Sequence, residues 1–499
     1  MGKSTIQKLS SRVAVAILTI PVLLLSAGIA LGDSGSKTYT VDADFDDGSL
    51  INVSYDAVAD QLQLIDTGEA FEFIWVAASM RGTIVKIDTV TGAILGEYQS
   101  APTGRARNPS RTTVDANGNV WAGNRDEASG GLGSVVHVGL EENGQCVDRN
   151  GNGIIETSTG LGDIKPWTNS GGADDNGGVS TAEDECIIHY VRTSGTNVRT
   201  VAVDGSNNVW VGGYGNRTHE LYDSTGIAVP STQFNVGCGG YGGLFDANGV
   251  LWSANISQNR LLRYEAITKV WSCIYVPQSY GLGIDTNGFI WNSTYNNNTV
   301  WRISPTGAPS GVFPTLGAPG DRGVVVTPAD NHVWVANSAG STVSRLDNTG
   351  SFLAQVNVGS TPTGVAVDAA GKVWVTNYSS DNVMRIDPAT NSVDLTVDLG
   401  AGARPYNYSD MTGSTLTAPP DFGTWTVDYD SGVINAPWRE ISWNAAEPGD
   451  SSIVVEVAGS DDGVTYGPFE TMSNGGDPSV DKQVIRIKVS FSRSTNADG

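Results

Sequence analysis

Seven tryptophans recur along this 499-residue chain: Trp75, Trp121, Trp210, Trp252, Trp291, Trp334 and Trp374. The gaps between them are 46, 89, 42, 39, 43 and 40 residues. The long gap has the length of one ordinary gap plus an insertion of similar size. A repeat of roughly forty residues made of short apolar runs implies a radial array of small sheets, each relying on its neighbours to bury its faces.

The repeats themselves are strand patterns. Five of the tryptophans follow an aspartate by six residues: Asp115, Asp204, Asp246, Asp285 and Asp368. A sixth copy, VVVTPADNHVW, carries one extra residue. In GVAVDAAGKVWVTN, GLGIDTNGFIWNST and TVDANGNVWAGN an apolar run ends at Asp, a Gly/Asn-rich turn follows, and a second run holds the Trp. That is a β-hairpin whose turn chemistry comes from Asp and Gly. Further on lies a third strand, read as having a basic centre in all seven units: IVKID, VVHVG, HELYD, LLRYE, VWRIS, VSRLD and VMRID. A fourth strand completes each unit. No segment after residue 33 has helical periodicity.

The first Trp unit, FIWVAASMRGTIVKID, lacks a strand ending in Asp, whereas the last unit overruns into RPYNYSDMTG. There Asp410 matches Asp368, so 405–413 is expected to supply the inner strand of the blade completed by 71–100. Joining the ends this way removes two open sheet edges. The expected fold is all-β: a seven-bladed β-propeller over 71–413, with a small β-sandwich beside it in the sequence.

The GVAVDxxGxVWVTN units resemble NHL-type and streptogramin-lyase-like (virginiamycin B lyase-like) propellers over roughly residues 71–413. The resemblance implies the seven-bladed propeller. It says little about function, because such repeats serve both enzymes and binding proteins. The lyases of that family use histidine and glutamate near a magnesium ion. This chain has four histidines, His137, His189, His219 and His332, and none stands in an H-x-E or paired His/Glu spacing. No catalytic residue carries over, and each histidine is expected to be structural. Neither a nucleophile elbow nor a phosphate-cradling Gly loop is present.

Residues 1–32 have the form of an export signal or N-terminal anchor. Lys3, Lys8 and Arg12 precede an apolar stretch, Val13–Leu31, and small residues stand before Asp33. A net charge of −24 argues against nucleic-acid binding, which needs clustered Lys and Arg. The four cysteines suit an oxidising compartment, and locality favours pairing Cys146 with Cys186 and Cys238 with Cys273. N-x-S/T sequons begin at Asn52, Asn216, Asn255, Asn292, Asn297, Asn377 and Asn407, where Asn also suits the turns.

The insertion, 146–186, contains CVDRNGNGIIETSTGLGD. Asp148, Asn150 and Asn152 alternate and Gly153 follows, the opening of a calcium loop. The Ile154 carbonyl and Glu156 are the next candidate ligands. The loop resembles EF-hand, dockerin and thrombospondin-type-3 loops, but its twelfth position is Thr159 where those have Glu. Asp163, Asp174, Asp175, Glu183 and Asp184 are the acids nearby in sequence. The expected cofactor is a structural Ca2+; the alternative is an Asn/Gly turn held by the cysteine pair.

Strands separated by turns fill 422–499, a β-sandwich pattern resembling the galactose-binding-like modules of surface proteins. The segment that precedes them in such modules lies here at 38–64, so the propeller is expected to be inserted into the sandwich. Trp425, Trp438, Trp443 and Tyr466 are candidates either for sugar stacking or for core. The chain then reads as a secreted or cell-surface binding protein presenting a propeller face to an extracellular glycan or protein ligand, with no membrane contact apart from an uncleaved N-terminal anchor. The alternatives are a metal-assisted lyase or hydrolase and a structural subunit of an extracellular assembly.

Overall fold

The computed structural model describes residues 15–21, 36–51, 53–55, 58–64, 71–127, 131–168, 184–413 and 422–493. The export segment outside 15–21, Asn52, the acids Asp174, Asp175 and Glu183, and the linker before residue 422 lie outside the described residues. By contacts the chain falls into two units, Glu69–Ala418 and a second made of Met1–Gly68 with Pro419–Gly499.

Glu69–Ala418 is a seven-bladed β-propeller. Blades 4 to 7 are four-stranded antiparallel sheets in chain order. Blade 7, for example, runs Pro362–Val367, Val373–Asn377, Asn382–Asp387 and Ser392–Asp398. Blade 2 interrupts its hairpin between Leu132–Val138 and Ile187–Thr196 with the insertion. Blade 3 has three regular strands, and Tyr222–Ala228 and His219–Phe234 bridges mark an irregular fourth.

In blades 4, 5 and 7 the recurring Asp and Trp form one device; the indole N–H groups of Trp121 and Trp210 have no partner among the described residues. In blade 7 the Asp368 Oδ1 accepts the Lys372 N–H at 2.8 Å across the turn, and its Oδ2 accepts the Trp374 indole N–H at 2.7 Å. Asp246 and Asp285 hold Trp252 and Trp291 the same way, at 2.7 and 3.0 Å. In blade 6, with its extra residue, the Thr327 hydroxyl takes over at 3.3 Å. An indole buried with its N–H satisfied removes roughly 150–250 Å2 from water, about 4–6 kcal/mol by area.

The basic centre of the third strand has its own role. Register sets Lys86 opposite Trp75, His137 opposite Trp121, Arg263 opposite Trp252, Arg302 opposite Trp291, Arg345 opposite Trp334 and Arg385 opposite Trp374. Arg345 lies 4.7 Å from its indole ring. The same guanidiniums then donate to carbonyls of the next blade: Arg263 to Pro305, Arg302 to Asn348, Arg345 to Pro388 and Arg385 to Thr89. In blades 4 to 7 one arginine thus covers its own core and clamps the next wedge, whereas His137 of blade 2 bonds Asp115 and His189 within its own blade. Blade 3 breaks the pattern, since Leu221 faces Trp210.

The ring closes through the chain's later residues. Pro405 bridges Ala78, the Trp75 N–H donates to the Met411 carbonyl at 2.9 Å, and the Tyr406 N–H donates to Ala77 at 3.1 Å. Met411 and Ile74 are buried in one cluster with Trp374. The inner strand of blade 1 therefore comes from 405–411, where the unmatched overrun of the last repeat places it.

In the other unit a five-stranded sheet contains Ser49–Ile51, Phe422–Asp430, Val484–Ser492, Ser452–Ser460 and Glu470–Thr471 in that order. Tyr39, Phe45, Val53, Leu62 and Leu64 share its core with Trp425, Trp438 and Ile487. Trp425 and Trp438 are buried and donate to the Phe45 and Lys482 carbonyls at 3.0 and 2.7 Å, so neither is free to stack on a sugar. Asp42–Phe45 forms a single helical turn, too short to leave a periodic signal; Asp44 caps it by accepting the Thr40 and Val41 N–H groups. Val15–Pro21, inside the segment read as an export signal, is a strand between Ser36–Tyr39 and Ser442–Ala446. Among the described residues no helix is long and apolar enough to cross a membrane.

Candidate functional site: arginines and tyrosines on the propeller axis

Each turn Asp fixes what the inner strand presents to the axis. Five residues before Asp204, Asp246 and Asp285 stand Arg199, Tyr241 and Tyr280; five before Thr327 stands Arg322. Four residues before Asp115 and Asp410 stand Arg111 and Tyr406, and Tyr408 follows. In blades 4 to 7 that fourth position is glycine, and in blade 3 it is Thr200. A Cβ on Gly281 would collide with the Arg322 carbonyl, and one on Gly364 with the Asn407 carbonyl, so the inner strands pack tightly enough to bring these side chains together.

They meet around Tyr406. The guanidinium carbons of Arg111, Arg125, Arg199 and Arg322 lie 5.9, 5.3, 6.0 and 5.3 Å from its ring centroid. Its hydroxyl is 2.7 Å from that of Tyr280, 3.1 Å from Tyr408 and 3.4 Å from Tyr241. Inner-strand residues of non-adjacent blades, such as Tyr406 of blade 1 with Arg199 of blade 3 and Tyr280 of blade 5, can touch one another only where the ring has its axis. Above the cluster opens a cavity of about 670 Å3 lined by Ser79, Arg107, Arg125, Arg322, Tyr378 and Tyr406 among others.

None of the four arginines forms an ion pair with a carboxylate among the described residues. Arg199 donates to Asn197 and to the Tyr241 hydroxyl, Arg125 to Ser79 and Asn108, and Arg322 to the Tyr295 hydroxyl. Arg111 is fully buried; its Nη1 donates to the Ser110 carbonyl, but its Nε and Nη2, like the Nε of Arg322, have no hydrogen-bond partner among the described residues. Burial works against charge on Arg199 and Arg322, but the surrounding phenols outweigh it and raise both. Arg125 is lowered, first by burial and then by the charge of Arg199. Burial also works against ionisation of Tyr406, yet Arg322, Arg111 and Arg199 bring its phenol down to about 6. Tyr241, Tyr280 and Tyr408 are pushed up by burial, so Tyr406 is the phenol that ionises first. The site is a desolvated cationic well with one internal counter-charge.

The histidines stand elsewhere. His137 stacks 3.8 Å from Trp121, with its Nε2 3.1 Å from Asp115 and its Nδ1 2.9 Å from His189. His189 is brought down to about 4 by burial and by His137. His219 lies between the Arg217 carbonyl and the Ser253 hydroxyl, and His332 between Asp330 and Arg345. None of them lines the cavity. A magnesium site made of histidine and glutamate at the opening does not fit these residues.

In the insertion, Cys146 is bonded to Cys186, and Cys238 to Cys273 elsewhere; no cysteine is free. Glu185, which sequence reasoning passed over, accepts the N–H of Arg149 at 2.8 Å and of Glu156 at 3.0 Å, pinning both ends of the loop. Asp148 caps the turn, accepting from Gly151 at 2.7 Å and Gly153 at 2.8 Å, and these contacts, Gly153 first, hold it below the usual carboxylate range. Asn150 and Asn152 donate to Glu156 at 2.9 and 2.6 Å, and the Ile154 N–H donates to Asn152 at 2.8 Å. The structure thus brings Asn150, Asn152 and Glu156 together and turns Asp148 onto the backbone. Thr159 bonds Asp163. Among the described residues no three His, Cys, Asp or Glu side chains converge as a metal cluster. The oxygen-rich donor set fits a hard cation, provided the two amides turn their oxygens toward it.

Four sequon asparagines, Asn255, Asn292, Asn377 and Asn407, are buried, their amide nitrogens bonded to Gly239, Gly281, Asn382 and Trp75. They are structural. Asn297 is exposed.

No family model and no curated protein sequence matches the chain. Solved structures do resemble its fold. Virginiamycin B lyase from Staphylococcus aureus superposes with a TM-score of 0.44 at 15% identity, covering 64% of this chain and 90% of that one. A functionally unknown protein from Desulfotomaculum acetoxidans gives 0.49 at 12%, covering 67% and 97%. A putative 6-phosphogluconolactonase from Bacteroides uniformis gives 0.46 at 13%, covering 68% and 98%. These proteins share a propeller architecture with this chain; at such identities and scores their activities carry no argument about it.

Proposed function

We propose that this chain is an exported binding protein, secreted or held at the cell surface, whose propeller presents the axial cavity to an extracellular glycan or protein ligand. The observation that carries the reading is the cavity itself: a concave site of about 670 Å3 into which polar and aromatic side chains from several blades converge. Export is supported by the basic and apolar character of residues 1–32 and by two disulfides with no free cysteine. The lyase reading has no support in the histidine placement. Binding of the purified chain to a glycan array and to envelope fractions tests the proposal. Retention lost on substituting cavity residues supports it, and no retention on any ligand counts against it. N-terminal sequencing of exported protein tests the leader, with Asp33 as the expected first residue.

We also infer that Ca2+ orders the loop 148–156 through Asp148, Asn150, Asn152, the Ile154 carbonyl and Glu156. The support is the D-x-N-x-N-G spacing and the convergence of Asn150, Asn152 and Glu156. Calcium is expected to raise the melting temperature over a chelator-treated sample, with Asp148→Ala abolishing the difference. An unchanged melting temperature would dismiss the ion.

A further inference from the structure

Resting on the binding reading above, we propose that the axial site takes an acidic sugar, with the carboxylate of a uronate-type residue seated on the guanidiniums of Arg322 and Arg125.

Charge is the first argument. The chain carries a net −24, yet four guanidiniums converge on one phenol ring with no carboxylate paired to any of them among the described residues. Gathering four cations around a single phenol as their one counter-charge is costly. A purely structural core would do better with apolar residues of the same shape, so the arrangement suits an anion that arrives from outside.

Unmet hydrogen bonding is the second. A fully buried Arg111 with two nitrogens, and Arg322 with one, that lack a partner among the described residues are donors set in place without acceptors there. Arg322 and Arg125 line the cavity and Arg111 lies beneath them, against Tyr408. A carboxylate matches the fork of a guanidinium with two parallel hydrogen bonds.

The walls select the rest of the ligand. Tyr378 and Tyr406 meet edge to face, 6.0 Å apart, and offer ring surfaces for the apolar face of a pyranose. Ser79, Thr361, Ser379 and Asn108 supply donors and acceptors that match sugar hydroxyls, and Met80 is the one aliphatic side chain in the lining. That is a poor groove for a lipid chain or for apolar peptide side chains. The acidic exterior opposes a long polyanion and favours a short acidic saccharide or chain end entering over the axis.

The test is calorimetric titration of the full-length chain with trigalacturonate, a sulfated disaccharide, tetraglutamate and neutral maltotriose. Trigalacturonate is expected to bind, to weaken as salt rises, and to lose at least about tenfold in affinity in Arg322→Gln and in Arg322→Lys, because lysine keeps the charge but not the fork. Lys482→Gln, in the other unit, is expected to leave binding unchanged. Melting temperature and near-ultraviolet circular dichroism verify that each variant is folded; Arg125→Gln is the second probe if Arg322 variants are not. Tighter binding of the sulfated disaccharide or of tetraglutamate would overturn the assignment, as would full affinity in a folded Arg322→Gln. Binding of neutral sugars alone would keep the binding reading and sink this one, whereas binding of nothing here or on the array would end both.

Discussion

The guanidinium carbon of Arg111 lies 3.2 Å from the centroid of the Tyr408 ring, and two of its nitrogens have no hydrogen-bond partner among the described residues. Stacking satisfies the face of the cation and the Ser110 carbonyl takes Nη1, which leaves the Nε and Nη2 edge unmet. If Arg111 serves a ligand and not the fold, Arg111→Met removes a buried charge that no carboxylate pairs among the described residues and keeps most of the packing. The variant is expected to melt at or above the wild-type temperature and to bind anions less tightly. A loss beyond about 3 kcal/mol of stability, the scale for breaking a needed buried charge contact, would make Arg111 structural.

Tyr406 is the internal counter-charge, its phenol brought down to about 6 by Arg322, Arg111 and Arg199 against the effect of burial. A phenol held below its ordinary range adds stability that is complete above the unfolded value of about 10 and is lost as pH falls through the folded value. A phenolate absorbance change is therefore expected near pH 6 in the wild type and not in Tyr406→Phe. A titration showing phenolate only at alkaline pH would refute the electrostatic description of the axis.

Arg345 donates to Pro388, Asn391 and Asp330 while it covers Trp334. Arg345→Leu keeps bulk over the indole but leaves those acceptors unmet, and about 2–4 kcal/mol of stability should go. Chemical denaturation measures it. Arg322→Gln should cost less, because its axial contacts are not part of the blade-to-blade clamp.

Asp321 is buried, and burial pushes its carboxyl up to about 7, partly offset by the Thr315 hydroxyl. A carboxyl raised in the folded state favours folding below its unfolded value, and that advantage is lost as pH rises through the folded value. Asp321→Asn resembles the protonated form. Relative to wild type it should gain melting temperature between pH 4 and pH 8, and a difference independent of pH would show that Asp321 is not protonated when folded.

The fold was legible because its determinants are local and repeated. Asp368 and Trp374 sit in one hairpin, and the same spacing returns in blade after blade. Closure was legible because Asp410 repeats a pattern whose hairpin partner stands at the other end of the repeat series. The axial site left no local motif. Arg199, Tyr241, Tyr280 and Arg322 each sit alone in a separate repeat, and only their common distance from the turn marks them as neighbours. Aligning the repeats on the turn residue and reading the column five before it would have exposed them. Glu185 was hidden for a related reason: it is one acid among many, and what distinguishes it is the pair of backbone N–H groups that folding brings to it.

A crystal structure of the chain soaked with trigalacturonate tests the central claim most directly. The account predicts a sugar carboxylate about 2.7–3.2 Å from the guanidinium nitrogens of Arg322 or Arg125, on the propeller axis above Tyr406. A saccharide bound elsewhere, or the four guanidiniums already closed by carboxylates of the protein itself, would contradict it.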